Sequence, residues 1–165
     1  MITVGIDVHK NTCVASFLDT GSGELRTVEF CTTKPSIESF AKETLKRDML
    51  VGLEATSNSF FVASMLKKYV DRVVMVVPEK HNDGIKTDKR DAKRIAISLA
   101  QGTYKACWIP SVSVYNLRQL IKHWKELDEG INETINRIRA LLMGQGITIL
   151  SKDLSSKKGR EELQE

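Results

Sequence analysis

Short apolar runs stopped by an acid or a proline constrain this chain more than any other feature. Ile2, Val4 and Ile6 alternate with Thr3 and Gly5 before Asp7, the pattern of a strand carrying an acid at its C-terminal tip. Met49 to Leu53 is a second run of strand length and ends in Glu54. Val73 to Val77 is a third, almost continuously apolar and stopped by Pro78, as a central buried strand would be. Cys13 to Leu18 and Leu25 to Cys31, joined by the turn cluster Asp19-Thr20-Gly21-Ser22-Gly23, complete an antiparallel meander with the first run. Helical spacing fills the gaps. Ile37, Phe40, Ala41, Thr44 and Leu45 follow Pro35, and Phe60 to Tyr69 follow a start near residues 57–59. Strands alternating with helices after a meander predict an α/β fold, a mixed sheet flanked by helices.

Beyond Pro78 the chain runs as a basic loop through Lys86, then a helix from Asp88 to Gln101, then the connector Trp108-Ile109-Pro110. From Val114 the period changes. Val114, Leu117, Ile121, Trp124, Asp128, Ile131, Ile135, Ile138 and Leu142 step by three or four, which predicts a long coiled-coil helix ended by Gly144 and Gly146. Trp124 sits on that seam and reads as packing, and the flanking Arg137 and Arg139 as solvent-facing. The seam predicts a dimer, with folding back within one chain as the alternative. The expected organisation is a sheet domain over residues 1–110, a coiled-coil helix over 111–146 and a polar tail over 147–165.

A chain of 165 residues with 41% hydrophobic and 28% charged residues buries an ordinary core, which excludes a disordered protein. No apolar run reaches the roughly 18 residues of a membrane span, and the N-terminus lacks the pattern of a signal peptide. Cys13, Cys31 and Cys107 are odd in number and widely spaced, as reduced cytoplasmic thiols are. The net charge of +4 makes a polyanion partner plausible only modestly; where the cations sit matters more.

Four carboxylates stand out by position. Asp7 and Glu54 end separate predicted strands, and Asp88 and Asp91 lie three apart at a helix start, on one face. Each taken alone is ordinary, as a turn former, a cap or a favourable charge at the helix dipole. Taken together, such acids would repel one another without a cation, and hard oxygen donors suit Mg²⁺ or Mn²⁺.

Gly5-Ile6-Asp7-Val8-His9-Lys10, Gly52-Leu53-Glu54-Ala55-Thr56 and Lys86-Thr87-Asp88-Lys89-Arg90-Asp91-Ala92 resemble, in order, three blocks of the DEDD transposases, the insertion-sequence recombinases that include the pilin-gene invertases. The long helix and Lys157-Lys158-Gly159-Arg160 extend the resemblance to the end of the chain. It implies a RuvC-like member of the RNase H-like fold, with Asp7, Glu54, Asp88 and Asp91 as catalytic, metal-binding residues. It also implies a coiled-coil insertion, a second domain with a serine nucleophile, and DNA exchange directed by a structured RNA. Here the chain stops before such a domain, so it reads as an N-terminal part, inactive alone in recombination. Ser57, Ser59 and Ser64 read as loop or helix-surface residues rather than nucleophiles. The implied partners are DNA, a guide RNA and a second copy, with no membrane, in the cytoplasm of a bacterium beside its nucleoid.

Other residues carry two readings. His9 reads as a surface histidine after a strand, with contact to phosphate or to a metal's hydration shell as the alternative. Lys10, Lys86, Lys89, Arg90, Lys93 and Arg94 suit a nucleic-acid backbone through counterion release, and equally a solvated face balancing the acids. Competing functions are a RuvC-like nuclease or junction resolvase needing no serine, and a non-catalytic nucleic-acid-binding dimerisation module. An actin-like kinase also begins Gly-Ile-Asp, but Val8-His9-Lys10 lacks the small residues its phosphate turn requires.

Overall fold

In the computed structural model, which describes residues 1–56, 58–77, 87–147, 154 and 156–162, the elements run as follows. They are β1 (Ile2–Val8), β2 (Thr12–Asp19), β3 (Leu25–Cys31), α1 (Lys34–Thr44), β4 (Leu50–Glu54), α2 (Ser59–Leu66), β5 (Arg72–Val76), α3 (Asp88–Gln101), β6 (Ala106–Cys107), α4 (Val112–Gly144) and α5 (Lys157–Glu162). Two compact units divide the chain at residues 109 and 110.

In the first unit six strands form one sheet of order β3-β2-β1-β4-β5-β6. The β1–β2–β3 meander is antiparallel; β4 joins β1 in parallel, β5 joins β4 in parallel, and β6 returns antiparallel. The sheet is mixed because the meander turns within a few residues, whereas β1 to β4 and β4 to β5 need crossovers.

Alternation along the strands separates two faces. Val4, Ile6 and Val8 of β1 and Val51 and Leu53 of β4 join Ile37 and Phe40 of α1 and Val62 and Leu66 of α2 in the larger core. Phe30 stacks on Phe40 with ring centroids 4.0 Å apart. The opposite face carries Thr3, Gly5 and Asp7 of β1, and α3 lies against it. There Leu50 and Val76 pack with Ile95 and Leu99, and the Thr3 hydroxyl donates to Ala96 O at 2.8 Å. A Cβ on Gly5 would stand 2.2 Å from Ala92 O and 2.4 Å from Ala96 N, so only glycine lets α3 come this close. Gly52, the register partner of Gly5, would push its Cβ to 2.7 Å from a Leu99 methyl. Helix α3 opens with Asp88 and Asp91 in its first turn, favourable to its dipole, and closes on Gly102 at φ 68°.

The third apolar run is not the central strand. Val73 and Val74 of β5 are half-buried and Val77 is exposed, because β5 is second from the edge and the two-residue β6 covers only Met75 and Val76. The centre of the sheet falls to β1 and β4. Strand β6 itself lay in a segment that carries no strand pattern.

In the second unit, α4 spans 33 residues and none of them is buried. Ser111 caps its start, its hydroxyl accepting from Val114 N at 3.4 Å. Past Gly144, Gly146 at φ 77° and the bond from Ile147 N to Leu142 O at 2.9 Å close it as a Schellman turn. Leu117, Ile121, Trp124, Ile131 and Ile138 are exposed along it, as are Leu120, Leu127 and Leu141.

Candidate metal centre

Asp7 is the penultimate residue of β1 and projects on the α3 face with its carboxylate almost wholly buried. Val8 continues the strand and turns to the core; His9 then opens the tight connection to β2. That connection is held from several sides. His9 N donates to Thr12 O at 2.9 Å, and His9 O accepts from the Thr32 hydroxyl at 3.1 Å and from Asn58 Nδ2 at 3.5 Å. The imidazole folds back over the strand it has just left. Its Nε2 lies 3.0 Å from Asp7 Oδ2 and 3.1 Å from Asp88 Oδ1, bringing the tip of β1 and the start of α3 together.

Glu54 closes β4. The parallel register pairs Ile6 with Leu53, so Glu54 lies one step on, beside Asp7 and on the same face of the sheet. The two strand ends are also tied through α2. The buried Ser59 hydroxyl donates to Glu54 O and accepts from Thr56 N, while the Thr56 hydroxyl donates to Val8 O at 3.4 Å.

Asp91 lies one turn into α3 and is only 8% exposed. Its Oδ1 is 3.5 Å from Arg94 Nη1, whereas its Oδ2 is buried with no hydrogen-bond partner. A buried carboxylate oxygen without a partner costs several kcal/mol in principle and is rare in native proteins. The electrostatics agree. Burial pushes the Asp7 carboxyl above the ordinary aspartate range; His9 beside it pulls the other way, and Asp88 and Asp91 add to the rise. Asp7 and Asp88 thus meet across His9, and Asp91, one turn along α3 and paired with Arg94, is close enough to raise the Asp7 carboxyl. Hard oxygen donors around an orphaned buried oxygen fit a divalent cation, with Asp7, Asp88 and Asp91 as candidate holders and Glu54 alongside. Asp7 Oδ2, Asp88 Oδ1 and a His9 ring nitrogen lie within 4.8 Å of one another.

Of the two readings the sequence offers for His9, the structure has it exposed as a surface histidine is, and also bridging two of the acids. The available signal was parity. Asp7 and His9 are two apart, so a tight turn keeps them on one face. Lys10, Lys89, Arg90 and Lys93 are exposed, and Arg94 is half-buried against Asp91. Lys86 lies outside the described residues, as do Lys80 and Ser57. Ser64 bonds within α2, to Phe61 O.

A central β1 with an antiparallel hairpin on one side, parallel β4 and β5 on the other, and acids at the strand ends defines the class: an RNase H-like α/β domain. The chain belongs to the DEDD transposase family of the IS110 type, whose sequence profile, described as transposase, matches residues 4–146. It is accordingly an enzyme domain that acts on DNA. Among solved structures it is similar to the RuvC structure of Thermus thermophilus, at 12% identity and a TM-score of 0.42, covering 65% of this chain and all of that one. It is also similar to T. thermophilus RuvC in complex with a Holliday junction substrate, at 11% identity and a TM-score of 0.38, covering 65% of this chain and 99% of that one. No curated protein matches the chain significantly in sequence. Among the described residues no helix is long and apolar enough to cross a membrane.

Proposed function

We propose that this chain is the N-terminal metal-binding catalytic domain of a DNA transposase, with Asp7, Glu54, Asp88 and Asp91 holding Mg²⁺ or Mn²⁺. The observation that carries the reading is the orphaned Asp91 Oδ2 beside a buried Asp7 and a converging Asp88. A divalent ion bound there supplies Lewis-acid polarisation of a scissile phosphoryl group. The chain's own residues do the rest. Asp7 and Glu54, fixed on adjacent strands, set the floor of the site; Asp88 and Asp91, fixed on α3, set its wall. Lys10, Lys86, Lys89, Arg90 and Lys93 neutralise the DNA backbone around it, with Arg94 shared between phosphate and Asp91.

The nucleophile in this reading is a serine from a second, C-terminal domain, and a structured RNA selects the DNA. Support comes from the family resemblance and from Ser59, which is fully buried and committed to Glu54 O. In the proposed organisation residues 1–110 are catalytic, 111–146 form a coiled coil that pairs two copies, and 147–165 lead onward. The exposed apolar stripe of α4 supports that pairing. The protein works at the nucleoid.

Substitution of Asp7 or Asp91 by Ala in the full-length protein tests the reading. Recombination of a donor and target plasmid should fall about a hundred- to a thousandfold, as loss of an electrostatic anchor does, while circular dichroism stays native. Retained recombination would remove the metal-centre reading. Cleavage of branched DNA by residues 1–165 with Mg²⁺ alone would replace it with a serine-independent nuclease.

A further inference from the structure

Four acids explain a hard oxygen site, but they do not explain why an imidazole stands inside it. His9 is open to solvent on one side and bonded to two acids on the other. Its backbone is held by bonds to Thr12, Thr32 and Asn58, and the ring lies back over the end of β1 against Asp7. Nε2 lies 3.0 Å from Asp7 Oδ2 and 3.1 Å from Asp88 Oδ1. Two donors bound at about 2.1 Å to an octahedral ion and cis to each other are about 3 Å apart. Both spans match that separation, and the two carboxylate oxygens lie within 4.8 Å of each other. The same three atoms thus form a hydrogen-bonded cluster when Nε2 carries the proton and a ligand triad when Nδ1 carries it. The ring remains 44% exposed, so its outer edge is open for Nδ1 to donate to water or DNA.

We infer that His9 is a nitrogen ligand of the metal centre, and that it biases the site towards Mn²⁺ and its transition-metal neighbours over Mg²⁺. This rests on the metal-centre reading above and goes beyond it in assigning a non-carboxylate donor and a metal preference. The chemical reason is ligand softness. Mg²⁺ strongly prefers oxygen and gives up water reluctantly, whereas first-row transition ions accept imidazole readily. One imidazole among carboxylates leaves Mg²⁺ bound through its oxygens and adds a bond that Mn²⁺ uses better. His9 would also fix Asp7 and Asp88 at ligand spacing before any ion arrives, which lowers the cost of ordering them.

The experiment is Mn²⁺ binding to residues 1–165, followed by electron paramagnetic resonance, with ¹⁴N electron spin-echo modulation as the direct readout. The wild-type chain should bind Mn²⁺ and show nitrogen modulation. His9→Ala and the size-preserving His9→Gln should both lose the modulation and bind Mn²⁺ about tenfold more weakly. Competition should show Mg²⁺ affinity changing by less than about threefold, so the Mn²⁺/Mg²⁺ ratio falls. Asp7→Asn should abolish both binding and modulation, tying the nitrogen to this site rather than to His81 or His123.

Outcomes separate cleanly. Mn²⁺ bound by the wild type without nitrogen modulation, or bound more tightly by His9→Ala, overturns the ligand assignment and leaves the carboxylate centre standing. Absence of Mn²⁺ binding by the wild type, or binding indifferent to Asp7→Asn, overturns the centre itself and the assignment with it. Loss of modulation and affinity in both His9 variants, with native circular dichroism, supports it.

Discussion

The two faces of the sheet use the same strands for opposite ends. Towards α1 and α2, β1 offers Val4, Ile6 and Val8, all closely packed and apolar. Towards α3 it offers Thr3, Gly5 and Asp7, which are small or polar, and β4 continues this with Gly52 and Glu54. The first face gains stability from buried area. The second gives up area, because glycines replace side chains, and in exchange α3 sits close enough for Asp88 and Asp91 to reach the strand ends. Stability and site geometry are therefore coded by alternate residues of one strand, and neighbouring substitutions should separate them.

The largest expected effect is on the apolar face. Ile6 is fully buried, and Ile6→Ala should cost about 2–5 kcal/mol of unfolding free energy in urea. Because the lost methyl groups face away from α3, Mn²⁺ affinity of the folded fraction should hold within about twofold. On the other face, Gly5→Ala should cost about 1–3 kcal/mol, since the new methyl meets backbone atoms of Ala92 and Ala96 that cannot rotate aside. Here the site must suffer as well, because relief of the clash moves the whole of α3. Mn²⁺ affinity should drop by more than tenfold even where the variant is folded. If Gly5→Ala left that affinity unchanged, the close approach of α3 would have no role in building the site, and the contrast between faces would reduce to packing.

Much of this architecture is legible in the sequence, for identifiable reasons. Alternation marks β1, and the bounds of β3 and α3 follow from turn residues and from acids at a helix start with Gly102 just beyond its end. The positions of Asp7 and Glu54 near strand ends come from the same pattern. Strand order does not. A run such as Val73 to Val77 is equally apolar at the centre or near an edge, and nothing local reveals that a two-residue partner will flank it. Strand β6 is too short to carry a period. The two readings of His9 stay open in the sequence because its contacts depend on the geometry of a turn and on α3, far along the chain. The glycine contacts are invisible until α3 is placed, since Gly5 and Gly52 look like ordinary strand weakeners.

The smallest effect sharpens the comparison most, because its sign distinguishes a site from a core. Burial is the dominant influence on Asp7 and raises its carboxyl above the ordinary aspartate value of about 3.9. His9 offsets this only in part, with Asp88 and Asp91 adding to the rise. The folded chain then holds the Asp7 proton more tightly than the unfolded chain does. In metal-free buffer its contribution to stability is greatest below the unfolded value, declines as pH rises from there through the folded value, and stays at its low level above. Asp7→Asn carries no charge at any of these pH values. It should therefore be more stable than the wild type at pH 7 in EDTA, with the difference shrinking towards pH 4. A buried polar residue chosen for packing would behave the opposite way, losing stability on substitution. Urea denaturation of both chains at pH 4 and pH 7 decides between the two. A less stable Asp7→Asn at pH 7 would mean that the contact with His9 outweighs burial and that the α3 face is held together by its acids rather than in spite of them.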